Sequence, residues 1–186
     1  AVDRLTTMHP GIRVELHVAS GLADIVADRF DAGVRLGERL ERDMVAVPIG
    51  PKLRMAAVCA PSYLAKRGTP KRPHDLAQHA CINLRLTSAG GLYAWEFDKA
   101  GRALKVKVDG QLIFNDLELI LQAAVAGHGI AFMIEDHATR YLADQSLVRV
   151  LEDWCEPFDG YYLYYPKRQQ PSAAFKLLIS ALQYQG

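Results

Sequence analysis

Long apolar runs are absent from this sequence, and with them any candidate membrane span; no charged-then-apolar leader opens it either. Charge of one sign is also missing. The 22 Lys and Arg nearly balance the 21 Asp and Glu, leaving +1, too weak a field for this segment to hold nucleic acid by itself. The short basic runs Lys66-Arg67, Lys71-Arg72 and Lys167-Arg168 read as solvated loop faces. Cysteine is scarce and odd in number: Cys59, Cys81 and Cys155 show no Cys-x-x-Cys spacing, so reduced, buried thiols in a cytoplasmic protein are expected rather than a disulfide framework. His9, His17, His74, His79, His128 and His137 are scattered with no partner at i+4, and no metal site is expected. Neither G-x-S-x-G, H-E-x-x-H nor a phosphate-binding loop occurs, and Gly127-His128-Gly129 follows a helical stretch where a dinucleotide fingerprint follows a strand. No catalytic residue and no cofactor are expected.

What is there is an α/β chain. Half of the 186 residues are apolar, enough for one good core or two small lobes. Ile12, Val14, Leu16 and Val18 alternate with polar residues, as on a half-buried strand. A helix from Ser20 to Arg29 is expected next, then strands over 31–37, 45–50 and 55–60. Brief helices follow at 62–67 and 74–78, a strand at 81–86 and a hairpin through Trp95-Glu96-Phe97 and Leu104 to Val108. Strands alternating with helices imply a mostly parallel sheet.

The stretch from Asn115 to Met133 carries the most information. Asn115 is placed to cap a helix over 116–126, with Glu118 three residues on to reach back, and Gly127-His128-Gly129 breaks it before an apolar strand over 129–133. A helix over 135–143, a strand at 147–150, another at 160–165 and an amphipathic helix through Phe175, Leu178, Ile179 and Leu182 complete the chain. Seams near Gly50 to Arg54 and Glu156 to Gly160 bracket a central block. The expected division is residues 1–53 with 160–186 as one discontinuous lobe and 55–157 as the other, joined by two hinge crossings around a cleft.

Open α/β sheets keep ligands at strand ends and helix starts. Ser20, Arg35, Arg85, Thr87, Ser88 and Asn115 stand at such places. Singly, each has an ordinary structural explanation as a cap, a surface charge or loop filler; together they point to one cleft.

The ordered series Phe30-Asp31-Ala32-Gly33-Val34-Arg35-Leu36-Gly37, Pro61-Ser62-Tyr63-Leu64-Ala65, His74-Asp75-Leu76, Trp95-Glu96-Phe97, Val108-Asp109-Gly110, Asn115-Asp116 and Gly127-His128-Gly129-Ile130-Ala131 resembles the effector-binding domain of LysR-type transcriptional regulators. The resemblance implies a two-lobed, type II periplasmic-binding-protein fold and a small-molecule effector, anionic if Arg35 or Arg85 meets it. It implies ligand contacts around Ala19-Ser20, Arg35, Leu86-Thr87-Ser88 and Asn115, and a homodimer through the first strand with its helix and helix 116–126, tetrameric in the full-length protein. DNA would be bound only by an upstream winged helix-turn-helix, which, like the family's first strand, is expected ahead of Ala1. Members often carry a proline after the strand that reads Ile130-Ala131-Phe132-Met133; this chain has Ile134-Glu135-Asp136. A transport solute-binding protein shares the fold and a small α/β enzyme shares the composition; an export signal would favour the first and substrate turnover the second.

Overall fold

The computed structural model describes residues 1–18, 25–37, 43–86 and 91–185, and the chain divides into two compact units: Ala1–Lys52 with Phe158–Gly186, and Leu53–Pro157.

In the first unit, β1 (Gly33–Leu36) and β2 (Met44–Pro48) both pair antiparallel with β10 (Tyr161–Pro166), which lies between them. Helices α1 (Val2–Met8) and α5 (Ala173–Leu182) pack on one another. Ser172 caps α5, its hydroxyl accepting from the Phe175 amide at 3.2 Å. Phe175 is buried and meets Tyr165 edge to face at 5.2 Å. The alternation over Ile12 to Val18 does not become a strand: Leu16 is 77% and Val18 94% exposed, and none of the described strands pairs with the segment. Alternation supplies a face, but a strand also needs a neighbour for its backbone groups. Ser20 and the start of the helix expected to Arg29 lie outside the described residues; Ile25 to Arg29 form a turn, closed by the Phe30 amide on the Ile25 carbonyl at 2.9 Å.

The second unit is built around β3 (Met55–Cys59), flanked antiparallel by β8 (Ala131–Ile134) and β9 (Val148–Val150). Its Ala56, Ala57, Val58 and Cys59 are wholly buried. They alternate between two cores. Ala57 and Cys59 face a cluster with Trp95, Phe97 and Phe132, while Ala56 and Val58 face one with Ile120, Leu121, Ala124 and Met133, which is why this strand reads as a continuous apolar run. Phe132 is the hub of the aromatic side, 5.1 Å from Trp95 and 4.9 Å from Phe97 between ring centres. Around this sheet lie α2 (Pro61–Arg67), a 3-10 helix at Pro73–Gln78, β4 (Asn83–Leu84), the antiparallel hairpin β5 (Trp95–Lys99) with β6 (Arg102–Val106), β7 (Ile113–Phe114), α3 (Leu117–Val125) and α4 (Glu135–Ala143). Strand β8 runs straight into α4 without a proline, the Glu135 amide bonding the Arg54 carbonyl at 2.9 Å.

Strand direction departs from expectation. Most described ladders are antiparallel, and β4 with β7 is the parallel pair of strands. Alternating helices and strands predict parallel neighbours only when consecutive strands are adjacent. Here β10, arriving from more than a hundred residues away, inserts between β1 and β2 with reversed direction.

Candidate functional site

The parallel part of the second unit sets two of the expected residues side by side. The stretch from Ala80 to Arg85 runs between Ile130 on one side and Asp109 to Phe114 on the other, with the Ile82 amide on the Ile130 carbonyl (2.8 Å), the Asn83 amide on Leu112 (2.9 Å) and the Arg85 amide on Phe114 (2.7 Å). Two glycines allow this closeness: a side chain at Gly110 would stand 1.9 Å from the Cys81 carbonyl oxygen, and one at Gly129 2.5 Å from that of Ala80. The tracks end together, so Arg85 and Asn115 meet at the carboxyl ends of two parallel strands where α3 begins, the usual ligand position in such sheets. Beyond Arg85 the chain turns back, with the Leu86 amide on Gly91 at 2.9 Å and Arg85 bridged to Leu92. Thr87 and Ser88 lie outside the described residues.

The cap of α3 is one residue later than the sequence suggested. Asp116, not Asn115, is the N-cap, its carboxylate accepting from the Leu119 amide at 3.0 Å. Glu118 accepts instead from the Gln122 amide group at 2.7 Å, one turn along. Asn115 is thereby relieved of capping and stands exposed. The Asp116 charge also offsets the positive end of the helix, which leaves Arg85 as the cation of this group.

Sequence reasoning missed Asn83. It is 2% exposed, its amide nitrogen reaches the Cys81 carbonyl at 3.5 Å, and its side-chain oxygen has no partner among the described residues. The signal was available, since an asparagine interrupts the apolar run Cys81-Ile82-Asn83-Leu84.

Arg35 belongs to the first unit. Its guanidinium lies 4.8 Å from the centre of the Tyr164 ring, beside a cavity of about 230 Å³ whose lining includes Glu15, His17, Phe30, Arg35 and Tyr164. The tyrosine was also missed. Its ring covers Gly33, where a side chain would meet it at 2.4 Å, and Tyr162 covers Gly37 in the same manner at 2.5 Å, so the glycine spacing around Arg35 records two aromatic neighbours on β10.

Burial pushes the Cys59 and Cys81 thiols up to about 12 and that of Cys155 to about 11, and all three sit in the aromatic core. At pH 8 the thiolate fraction is then of order a thousandth or less. Native protein should leave a disulfide reagent such as DTNB unconsumed, and denatured protein should consume three equivalents; rapid reaction of any thiol in the native state would contradict this burial. Among the described residues no group of His, Cys, Asp and Glu is arranged to hold a metal, and no helix is long and apolar enough to cross a membrane.

Comparison with known proteins gives concordant results. The family model described as the LysR substrate binding domain matches residues 1–186. A putative transcriptional regulator of Pseudomonas aeruginosa is 54% identical, over 98% of this chain and 61% of its own length. The transcriptional regulator PgrR of Escherichia coli is 41% identical, over 96% of this chain and 60% of its own. The chain thus spans about three fifths of these relatives. The regulatory domain of AphB from Vibrio vulnificus superposes with a TM-score of 0.80 over 97% of this chain and 88% of that one, at 24% identity, which speaks for the fold alone.

Proposed function

This chain belongs to the LysR substrate-binding domain family, and on that premise we propose that it senses a small-molecule effector on behalf of a DNA-binding transcriptional regulator. The observation that carries the proposal is the meeting of Arg85 and Asn115 at the carboxyl ends of β4 and β7, at the entrance to α3. A ligand there is met by a guanidinium and a carboxamide that does not cap the helix, and Thr87 and Ser88 belong to the proposed set by their place in the sequence after Arg85. Arg35, stacked on Tyr164 in the first unit, and Ser20 complete the proposed set of contact residues, and the effector shifts the population of states by its difference in affinity for them.

Two arginines favour a carboxylate or other anionic effector through charge-assisted hydrogen bonds. Names of the relatives as transcriptional regulators support regulation over solute transport or catalysis. Leu119 at 51% and Ile113 at 43% exposure supply apolar surface for self-association beside α3, supporting a homodimer in which the DNA-binding part is carried by sequence outside these residues.

A thermal-shift screen of small organic anions identifies binders by the stabilisation that ligand confers on the folded state. For a hit, Arg85→Ala and Arg35→Ala are each expected to weaken binding about tenfold or more, the worth of one hydrogen bond to a charged group, and Asn115→Ala less. Affinity unchanged in all three variants would remove this site from consideration.

A further inference from the structure

Within the second unit, polarity at the strand ends runs deeper than the two exposed residues at its rim. Strands β4 and β7 pair in parallel with Asn83 beside Ile113 and Leu84 beside Phe114, so the side chains of the two tracks alternate in step. Ile82, Leu84, Leu112 and Phe114 pack on the core that holds Ile120 and Met133. Asn83, Arg85 and Asn115 therefore share the opposite face. Arg85 and Asn115 are exposed, whereas Asn83, one step inward from Arg85, is buried. Its carboxamide is held by a single bond, from the amide nitrogen to the Cys81 carbonyl at 3.5 Å, near the outer limit of such a contact. The side-chain oxygen is buried and accepts from no group among the described residues. Next inward on this face is Cys81, already part of the aromatic core, so Asn83 is the last polar side chain of its track before the interior.

A buried acceptor without a donor is costly to keep, and leucine, close to asparagine in size, would fill the same place without that cost. We propose, on the premise that Arg85 and Asn115 meet the effector, that Asn83 determines its class: an organic acid carrying a hydrogen-bond donor, a hydroxyl or an ammonium, beside its carboxylate. The carboxylate meets the Arg85 guanidinium at the rim, and the donor meets the Asn83 oxygen below it. Alternate residues on one face of a strand stand about 7 Å apart, a distance that a small acid with one hydrogen bond at each end bridges. Because one long bond is all that fixes the carboxamide, it can turn about its terminal torsion, which is broad and roughly two-fold, and present its oxygen toward the rim. An acid without the donor forfeits that bond. Sites that hydrogen-bond a ligand hydroxyl reject the analogue lacking it far more strongly than apolar pockets reject an extra methylene.

The test measures binding of matched acids to the whole chain by isothermal titration calorimetry: lactate against propionate, malate against succinate and mandelate against phenylacetate, each pair differing by one hydroxyl. In the parent, at least one hydroxy acid is expected to bind about tenfold more tightly than its partner, the worth of one hydrogen bond. Asn83→Leu should bring that pair within about twofold by weakening the hydroxy acid alone, and its thermal midpoint should equal or exceed the parent's because no buried acceptor is left unpaired. Asn83→Ala, which removes the oxygen without adding bulk, is read in the same way where the leucine variant does not fold. Arg85→Ala should weaken both acids alike and leave their ratio intact. A ratio in the Asn83 variants equal to the parent's overturns the proposal, and so does a parent that favours no hydroxy acid at millimolar concentration. Equal weakening of both acids together with a lowered midpoint in Asn83→Leu also overturns it, by making Asn83 a residue of the fold. Discrimination lost in Asn83→Leu while Arg85→Ala binds as the parent does would keep the acceptor and strike the anion contact at Arg85; the reverse result strikes the acceptor alone.

Discussion

Gly110→Ala is expected to destabilise the second unit by about 3 kcal/mol or more, at the upper end of what overpacking costs. The added methyl carbon would lie 1.9 Å from the Cys81 carbonyl oxygen and 2.8 Å from the Cys81 nitrogen. These are backbone atoms, so no rotamer change relieves the clash, and the Cys81 amide bond to Asp109 at 2.9 Å must open. That bond is the first rung of the parallel pairing that ends at Arg85 and Phe114, so the strand ends bearing Arg85 and Asn115 shift with it. Urea unfolding followed by tryptophan fluorescence measures the loss, and the variant should fail to respond to any effector that binds the parent. Gly50→Ala is the control: nothing lies within 4 Å of the place its methyl would take, and its midpoint should match the parent's. Parent-like stability of Gly110→Ala would mean that the two tracks do not approach each other so closely.

The second large effect comes from the aromatic core. Phe132 is 3% exposed and contacts Trp95, Phe97 and Tyr93 at ring-centre separations of 5.1, 4.9 and 6.4 Å. Phe132→Ala removes the hub and leaves three rings facing a void, with an expected cost of about 3–5 kcal/mol from lost transfer energy and cavity formation together. Phe132→Leu keeps most of the volume and should cost considerably less. The emission of Trp95, 1% exposed in the parent, should move to longer wavelength in the alanine variant as water gains access. A loss under about 1 kcal/mol would show that the cluster collapses onto the gap or is packed more loosely than the ring distances indicate.

Much of the element order was legible because it is written in local signals. The helix 135–143 coincides with α4, the hairpin falls on β5 and β6 with its second arm two residues earlier than expected, and the strand 55–60 runs one residue past β3, each announced by periodicity or by a run of small apolar residues. Cap assignment slipped by a single residue at Asn115, where two neighbouring residues, Asn and Asp, both have capping side chains; only the backbone geometry selects Asp116. Ile12 to Val18 failed for a different reason, because a period of two describes what one strand offers and says nothing of whether another receives it. The closest approaches were illegible altogether. Gly33, Gly110 and Gly160 look alike in sequence, yet one accommodates a tyrosine ring and two accommodate backbone, and each partner comes from a distant part of the chain. For the candidate site, Arg35 and Arg85 are legible from their places at strand ends and Asn115 from its place at a helix start, whereas Asn83 and Tyr164 are not, because buried polarity and ring placement are properties of tertiary neighbours.

The position of β3 between two cores has a consequence for how this chain can vary over time. A strand with one wet face can accept substitutions there freely, so its sequence drifts while its fold persists. Ala56, Ala57, Val58 and Cys59 have no such face. A larger residue at Ala57 presses on Phe132 and Trp95, while one at Ala56 presses on the layer of Ile120 and Met133, and neither can be compensated by the other because the backbone separates them. Change at this strand therefore requires matched change in a specific neighbouring layer, and variation is driven outward to the exposed hairpin and helix faces, so that these small side chains hold their places more firmly than their size suggests.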